Sequence, residues 1–261
     1  MKSLRKYGDK PFRVAVIHGG PGAPGEMASV ARELSSIISV LEPLQSAAML
    51  EGQVRELKSV LQKNATLPIT LIGFSWGALL SFIFAARCPT FVRKLILIGS
   101  PPYEEIYAAN ITLTRLTRLS DEGRAEALAL METLNNPASA DKNTLMARLG
   151  NLLSQADSYD LLPHDDELLQ CHYNIFQGVW TQAEQLRSSG KLLEFGKSIK
   201  CPVVAIHGNY DPHPAAGVVE PLSRVLKDFR FILLEKCGHR PWLECSARDR
   251  FYDILKQELV S

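Results

Sequence analysis

Short apolar runs alternate with segments of helical periodicity along both ends of the chain. The runs predict strands over residues 12–17, 37–41, 69–72, 94–99, 202–208 and 229–234, of which 12–17 is expected to be buried. Apolar residues at helical spacing predict helices over 28–36, 49–62, 76–86 and 246–259. Strands that alternate with helices predict a mostly parallel sheet with helices on both faces, which is an α/β fold.

The strand pattern stops between residues 103 and 196. Helical spacing there predicts helices over 106–119, 121–134, 141–156 and 165–187. An insertion at this point would lie over the carboxyl edge of the sheet and roof a site there. We therefore expect a single domain over residues 1–261, with a core of 1–102 and 197–261 and a helical cap of 103–196.

Composition excludes several classes of function. With 46% hydrophobic and 22% charged residues the chain is ordinary for a globular enzyme, and its net charge of +1 lacks the footprint of a nucleic-acid or anionic-membrane binder. The basic first residues are not followed by the apolar run of a signal peptide, and no segment approaches the length of a membrane span. The five cysteines lack metal-ligand spacing, which favours reduced thiols. We expect a cytoplasmic protein with no metal and no cofactor.

The segment Gly73-Phe74-Ser75-Trp76-Gly77 lies where an apolar strand gives way to a helix. A serine on so tight a turn needs small residues two positions to either side, because a Cβ there would collide with the neighbouring strand and helix. The turn would project the Ser75 hydroxyl from the carboxyl edge of the sheet, at a helix N-terminus that favours developing negative charge. This pattern predicts a nucleophile elbow.

Two further chemical residues follow strands in the same way. Asp211 lies in the loop after the strand at 202–208, and His239 follows the strand at 229–234 in the segment Gly238-His239-Arg240-Pro241. Both side chains should therefore meet Ser75 at the carboxyl edge of the sheet, in the chain order Ser, Asp, His.

At this point the sequence resembles the α/β-hydrolase family. The resemblance implies that Ser75 is the nucleophile, His239 the general base and then acid, and Asp211 the carboxylate that orients the imidazole. It also implies an oxyanion hole made by the amides of Trp76 and Gly20, the latter in the loop at 18–22.

The loop His18-Gly19-Gly20-Pro21-Gly22 resembles the proline iminopeptidase branch of that family. That branch usually has an Arg-Gly-x-Gly segment after the next strand, whereas this chain has Leu41-Glu42-Pro43-Leu44-Gln45-Ser46, which argues against peptidase activity. The family also commonly opens with a pair of antiparallel strands. Only about ten residues precede the first predicted strand here, so we expect the pair to be absent and the edge at 37–41 to be covered by the N-terminal segment or by a second subunit in a homodimer.

Other residues have a structural and a functional interpretation. Glu104 or Glu105 could replace Asp211 as the acid, because some members of the family place it after the earlier strand. His18, His207 and His213 are expected to be structural, and Cys237 to fill the end of a strand rather than act as a reactive thiol. The predicted cap holds two histidines, His164 and His172, for which the sequence identifies no partner. The acids Asp165, Asp166 and Glu167 are expected to stabilise the start of a helix, with binding of an ammonium group as the alternative. Three aromatic residues are expected either to form the core of the cap or to line a pocket: Tyr173, Phe176 and Trp180.

These observations predict a serine hydrolase that acts on a small-to-medium carboxylic ester or thioester. An aminopeptidase of the proline iminopeptidase kind is one alternative. The other is a ligand-binding module that keeps the fold with an idle triad, because a fold by itself does not fix a function.

Overall fold

The protein is described by a computed structural model over residues 3–163 and 171–260. Its seven strands form one sheet in the order β1-β3-β2-β4-β5-β6-β7. They are β1 (Leu4–Tyr7), β2 (Val14–Ile17), β3 (Val40–Pro43), β4 (Ile69–Phe74), β5 (Val92–Ile98), β6 (Val203–Gly208) and β7 (Phe229–Leu234). All neighbours are parallel except β1, which runs antiparallel to β3. The predicted α/β class is confirmed.

Helices pack on both faces of the sheet. In chain order they are α1 (Ala28–Leu34), α2 (Leu50–Asn64), α3 (Trp76–Arg87), α4 (Ile111–Arg118), α5 (Asp121–Asn135), α6 (Lys142–Ala156), α7 (Tyr173–Ser188), α8 (Lys191–Glu194), α9 (Ala216–Val225) and α10 (Arg248–Val260). Of these, α4, α5 and α6 pack together in a separate cluster. Alternate side chains of a strand point to opposite faces, so Leu71 of β4 packs with α2, α3 and α9, while Ile72 packs with α1 and α10. Two apolar cores therefore hold the sheet, and its carboxyl edge is left for the site.

The N-terminal strand β1 was not predicted by the apolar pattern. Its sequence, Leu-Arg-Lys-Tyr, is mostly polar, and its residues are half-buried except for the exposed Lys6. The strand is fixed by contacts across the sheet, since Tyr7 donates a hydrogen bond to the buried Glu42 carboxylate of β3 at 2.8 Å and Arg5 lies 3.3 Å from it. The described residues thus hold one strand before β2 rather than a pair, and this N-terminal strand covers the edge of β3.

Strand β3 lies later than the sequence pattern placed it. The prediction over 37–41 becomes Val40–Pro43 because the chain is still turning after α1, where the amides of Ile37 and Ile38 both donate to the Leu34 carbonyl. Ile37 is 52% exposed. Its apolar character misled the prediction.

Between β5 and β6 the described residues form helices, with one isolated β-bridge between Leu161 and Glu244. The helix predicted over 106–119 begins only at Ile111, after a single 3₁₀ turn at Glu105–Tyr107. The helix predicted over 165–187 begins at Tyr173 within the described residues.

The described part does not include residues 164–170, so the predictions for four residues lie outside it: His164, Asp165, Asp166 and Glu167. Within the described ranges, no helix has both the length and the apolar character that a membrane crossing requires. The domain boundaries, the cytoplasmic location and the homodimer stay predictions.

Candidate active site

Ser75 occupies a strained turn between β4 and α3. Its backbone angles are φ 50° and ψ −117°, a region that non-glycine residues occupy at a cost of about 1–3 kcal/mol. A Cβ on Gly73 would lie 2.2 Å from the Gly77 carbonyl oxygen, and a Cβ on Gly77 would lie 2.2 Å from the Ile17 carbonyl oxygen. Both glycines are therefore required by the close approach of strand and helix, as the sequence predicts for a nucleophile elbow.

Trp76 begins α3 immediately after the turn. Its backbone amide belongs to the first turn of the helix, where N–H groups have no partner within the helix. Its indole is fully buried and donates a hydrogen bond from Nε1 to Oε1 of Gln53 on α2 at 2.8 Å. The buried side chain therefore fixes the position of Trp76, and its backbone N–H lies in the first turn of α3.

The loop after β2 is fixed by His18. Nδ1 of His18 donates to the Gly19 carbonyl at 2.8 Å, and Nε2 accepts from the Gln45 amide at 3.3 Å. Burial lowers the pKa of His18 to about 4, so the ring is neutral and structural, as expected. Gly20 has a φ of 29°, and the Gly22 carbonyl accepts from the His172 amide of the cap at 2.9 Å.

The carboxylate of Asp211 holds the imidazole of His239. Nδ1 of His239 lies 2.7 Å from Oδ2 of Asp211, and both side chains are buried. Burial alone would lower the pKa of His239, but the carboxylate and its hydrogen bond outweigh burial and raise it. Burial would conversely raise the pKa of Asp211, and the surrounding imidazoles hold it well below its ordinary value.

His213 also binds Asp211, which sequence reasoning missed. Its ring Nδ1 lies 2.7 Å and its backbone N–H 2.9 Å from Oδ1, the carboxylate oxygen that His239 does not use. His207 donates from Nε2 to the His213 carbonyl at 2.8 Å, in the structural role expected for it. The segment Asp-Pro-His-Pro could have signalled a turn in which the carboxylate bonds the amide two residues on, but nothing in the sequence indicated the ring contact.

Gly99 is the second residue that the sequence analysis did not single out. It has a φ of 50°, and a Cβ there would lie 2.8 Å from the His239 carbonyl, 3.1 Å from its Nδ1 and 3.3 Å from Oδ2 of Asp211. The end of β5 must therefore lack a side chain for the Asp211–His239 pair to fit.

Ser75, His239, Gly20 and Trp76 line a common cavity of about 380 Å³, whose other wall comes largely from the cap. Apolar side chains dominate that wall: Leu134, Met146, Leu149, Leu153, Tyr173, Phe176 and Trp180. The cavity is large enough for a small ligand. All three cap aromatics lie in its lining, and the rings of Phe176 and Trp180 are stacked 6.0 Å apart.

The alpha/beta hydrolase fold family model matches residues 50–244, which is more than half of the chain and includes Ser75, Asp211 and His239. The chain belongs to the alpha/beta hydrolase fold family.

Relatives with assigned names are distant. The chain is 23% identical over 260 residues to the pimeloyl-[acyl-carrier protein] methyl ester esterase of Chromobacterium violaceum, with 94% of this chain and 93% of that protein covered. It is 22% identical over 197 residues to the human monoacylglycerol lipase ABHD6, with 75% of this chain covered but only 57% of that lipase. Among solved structures, VinJ superposes with a TM-score of 0.70 at 17% identity, covering 98% of this chain and 93% of that one. The structural likeness concerns the fold, while the named relatives are an esterase and a lipase.

In this member of the alpha/beta hydrolase fold family, the alternative acids form ion pairs with arginines and do not bond His239. Glu104 binds Arg224 at 2.6 Å and Glu105 binds Arg187 at 2.8 Å. Asp211, and not either glutamate, is the residue that bonds His239.

Cys237 and the cluster of Asp211, His213 and His239 are the described residues to weigh for thiol or metal chemistry. Burial raises the pKa of the Cys237 thiol, which packs in the core beneath α10, in agreement with the interpretation as a strand-end filler. Asp211, His213 and His239 are close enough together to hold a metal ion. However, both Nδ1 atoms face carboxylate oxygens at 2.7 Å and so carry the protons of these hydrogen bonds, which fits a hydrogen-bonded cluster better than a set of metal ligands.

Proposed function

We propose that the protein is a serine hydrolase that cleaves a small-to-medium carboxylic ester or thioester through an acyl-enzyme on Ser75. The observation that carries the proposal is the 2.7 Å hydrogen bond from Nδ1 of His239, which lines the same cavity as the strained Ser75, to Oδ2 of the buried Asp211. A serine, an imidazole and a buried carboxylate in this order are the parts that nucleophilic acyl transfer requires.

The hydrogen bond fixes the tautomer of His239. Because Nδ1–H is donated to Asp211, Nε2 keeps a lone pair and can take the Ser75 hydroxyl proton as Oγ attacks the substrate carbonyl carbon. The carboxylate stabilises the imidazolium that forms, since its own pKa is held low and it stays charged. Collapse of the tetrahedral intermediate breaks the bond to the alcohol or thiol, which leaves with the proton from Nε2. Water then attacks the acyl-enzyme carbonyl in the same way, with Nε2 of His239 taking its proton, and the carboxylic acid is released as Ser75 regains its proton.

The oxyanion of each intermediate is assigned to the amides of Gly20 and Trp76. Both residues line the cavity, and Trp76 lies at the start of α3, where the helix dipole favours negative charge. Removing one donor of this kind typically costs about 3 kcal/mol of transition-state stabilisation, so the two amides contribute substantially to the proposed reaction.

The substrate class follows from the wall that faces Ser75. The cap contributes mainly aliphatic and aromatic side chains, which suit an acyl chain more than a charged group. At about 380 Å³ the cavity lies near the small end of ligand pockets, which limits the acyl part to small or medium size. The names of the two relatives, an ester esterase and a monoacylglycerol lipase, support ester cleavage.

A serine-directed fluorophosphonate tests the nucleophile. The folded protein should be labelled at Ser75, and Ser75→Ala should lose both the label and nearly all ester turnover while its melting temperature stays close to that of the wild type. Ser81→Ala is the matched control, since Ser81 lies on the same helix with a buried hydroxyl outside the cavity, and it should keep label and turnover. A folded Ser75→Ala variant with most of its esterase activity would contradict the assignment.

A substrate panel separates the ester and thioester proposal from the two alternatives. Acyl esters and acyl thioesters of increasing chain length should be hydrolysed, whereas aminoacyl amides should not. Preferential cleavage of aminoacyl amides would establish the aminopeptidase alternative. No labelling and no turnover in a protein that still binds an acyl ligand would establish the binding module.

A further inference from the structure

The two oxygens of the Asp211 carboxylate have different partners. Oδ2 accepts a hydrogen bond from Nδ1 of His239 at 2.7 Å. Oδ1 accepts two hydrogen bonds from His213, one from the ring Nδ1 at 2.7 Å and one from the backbone N–H at 2.9 Å. A carboxylate held at one oxygen only could rotate about its bond to Cβ, but one held at both has a single orientation.

The backbone of His213 is itself restricted by a hydrogen bond and by two neighbouring prolines. Its carbonyl accepts the Nε2–H of His207 at 2.8 Å, and prolines precede and follow it in the chain. Proline restricts both its own backbone and that of the residue before it, so the loop between β6 and α9 has little freedom at this point. A residue that is held so firmly can hold its neighbour in turn.

The charge of His213 suits this task. Burial lowers its pKa to about 4 against the opposing effect of Asp211, so the ring is neutral near neutral pH and does not cancel the carboxylate charge that His239 needs. The rings of His213 and His239 lie 4.6 Å apart, tilted by 36°. The two imidazoles are thus arranged around one carboxylate, one as a neutral donor and one as the proposed base.

We propose that His213 is a positioning residue, whose ring N–H and backbone N–H fix Oδ1 of Asp211 so that Oδ2 remains aimed at His239. The catalytic part of this inference rests on the proposed function, while the effect on the His239 imidazole does not. The charged groups of other elements that act on His239 are Asp157 and Arg115 from the cap. His207 of β6 also lies near the pair, with Nε2 3.6 Å from Oδ2 of Asp211.

Two substitutions separate hydrogen bonding from packing. His213→Phe keeps a ring of similar size and removes the side-chain donor, so the backbone N–H alone then holds Oδ1 and the carboxylate is less firmly fixed. His213→Asn removes the ring but places an amide N–H close to where Nδ1 lies. Since a hydrogen bond to a charged group is involved, His213→Phe should lower kcat by roughly 10- to 100-fold, and His213→Asn should recover most of that loss.

The pKa of His239 provides the readout that a merely structural role would not move. Asp211 raises this pKa against burial only while Oδ2 stays at bonding distance, so in His213→Phe the pKa should fall and the acid limb of kcat/KM should move to lower pH. Nitrogen-detected NMR titration of the imidazoles measures the same shift without any turnover. His213→Asn should restore the wild-type value.

Unchanged kcat and unchanged His239 pKa in a folded His213→Phe protein would overturn the proposal. So would equal losses in His213→Phe and His213→Asn, because the ring and not its N–H would then be what matters. If the Phe variant does not fold, His213→Gln, whose amide lies one bond farther out, serves as the donor-displaced variant. Absence of fluorophosphonate labelling in the wild type would reject the proposed function alone, since the NMR titration would still decide whether His213 sets the pKa of His239.

Discussion

The backbone carbonyl of Asp157 accepts the His239 amide at 2.8 Å, so the end of the cap helix α6 is fastened to the loop that carries the proposed base. A Cβ on the neighbouring Gly238 would lie 2.1 Å from the same Asp157 oxygen, which shows how close the two segments are. The Asp157 side chain in turn binds Arg115 of α4 through two hydrogen bonds of 2.7 Å. The Arg115–Asp157 pair therefore holds the cap against the base.

We expect Arg115→Ala to lower the free energy of unfolding by about 2 kcal/mol, because the two side chains are only 20% and 10% exposed and the loss leaves a carboxylate without its partner. Turnover should fall as well, since Asp157 would no longer be held against His239. Arg124→Ala is the matched control: its pair with Asp121 is 41% and 92% exposed and should contribute less than about 1 kcal/mol. Urea unfolding measures both, and equal effects of the two variants would reject this role of Arg115.

Asp211→Asn tests the assignment of the acid. The amide keeps the shape but neither fixes the tautomer of His239 nor stabilises its imidazolium, so kcat should fall by up to roughly 10⁴-fold, as in serine proteases. Glu104→Gln and Glu105→Gln remove ion pairs with Arg224 and with the buried Arg187 but no contact to His239, so both should leave most of the activity. Steady-state kinetics on an ester substrate would contradict the assignment if Asp211→Asn were nearly fully active and one glutamine variant inactive.

Gly99→Ala should impair the site through crowding alone. The new methyl group would lie 2.8 Å from the His239 carbonyl and 3.1 Å from its Nδ1, in a backbone conformation with φ of 50° that alanine disfavours. We expect a loss of turnover of at least tenfold together with destabilisation of about 1–3 kcal/mol. Gly123→Ala, which meets only ordinary contacts of 3.4 Å or more in α5, should instead raise the free energy of unfolding by about 0.5–1 kcal/mol and leave kcat alone. Wild-type kinetics in Gly99→Ala would contradict this prediction, because the site would then accommodate the added methyl group.

Stability should fall as the pH falls from about 6.5 to about 4. Burial lowers the folded-state pKa of His18 and of His213 to about 4, while the unfolded chain titrates near 6.5, so the unfolded state binds more protons in this window. Each group contributes a slope of up to about 1.4 kcal/mol per pH unit. His239 acts in the opposite sense, since its raised pKa adds stability that is full below 6.5 and lost as the pH rises through the folded-state value.

His18→Gln isolates one of these contributions. Its amide oxygen can replace Nε2 as acceptor for the Gln45 amide, but it does not titrate. Urea unfolding at several pH values should give a shallower slope between pH 4 and 6.5 than for the wild type. An unchanged slope would mean that His18 is not held neutral in the folded protein.

Hydrogen exchange tests the cover of β3. Because β1 pairs with one side of β3 and β2 with the other, the amides from Val40 to Glu42 should exchange slowly in the native protein. The sheet edge is then β1 itself, and a second copy of the chain is not needed to cover β3. Rapid exchange throughout Val40 to Glu42 would show an open edge, and sedimentation at several concentrations would test the homodimer separately.

The sequence by itself determined the elbow and most of the sheet. Gly73 and Gly77 are readable as requirements of one local turn, and the apolar runs behind β2, β4, β5 and β6 are long enough for burial on both faces to show in the pattern. The run behind β7 is apolar as well, although this edge strand is mostly half-buried or exposed. Ser75, Asp211 and His239 each follow such a run, so parallel topology alone brings them to one edge. Local signals therefore sufficed wherever a residue's role depends on its own strand or turn.

Only the tertiary structure decided the rest, because it depends on partners far away in the chain. The polar strand β1 exists through its pairing with β3 and the Glu42 carboxylate, which leaves no apolar signal. Ile37 is apolar yet exposed, so burial and not composition sets where β3 begins. Gly99 matters through atoms of Asp211 and His239, more than one hundred residues later. His213 differs from a structural histidine only in that its ring N–H meets a carboxylate oxygen, and such a hydrogen bond is a matter of a few tenths of an ångström that no sequence pattern records.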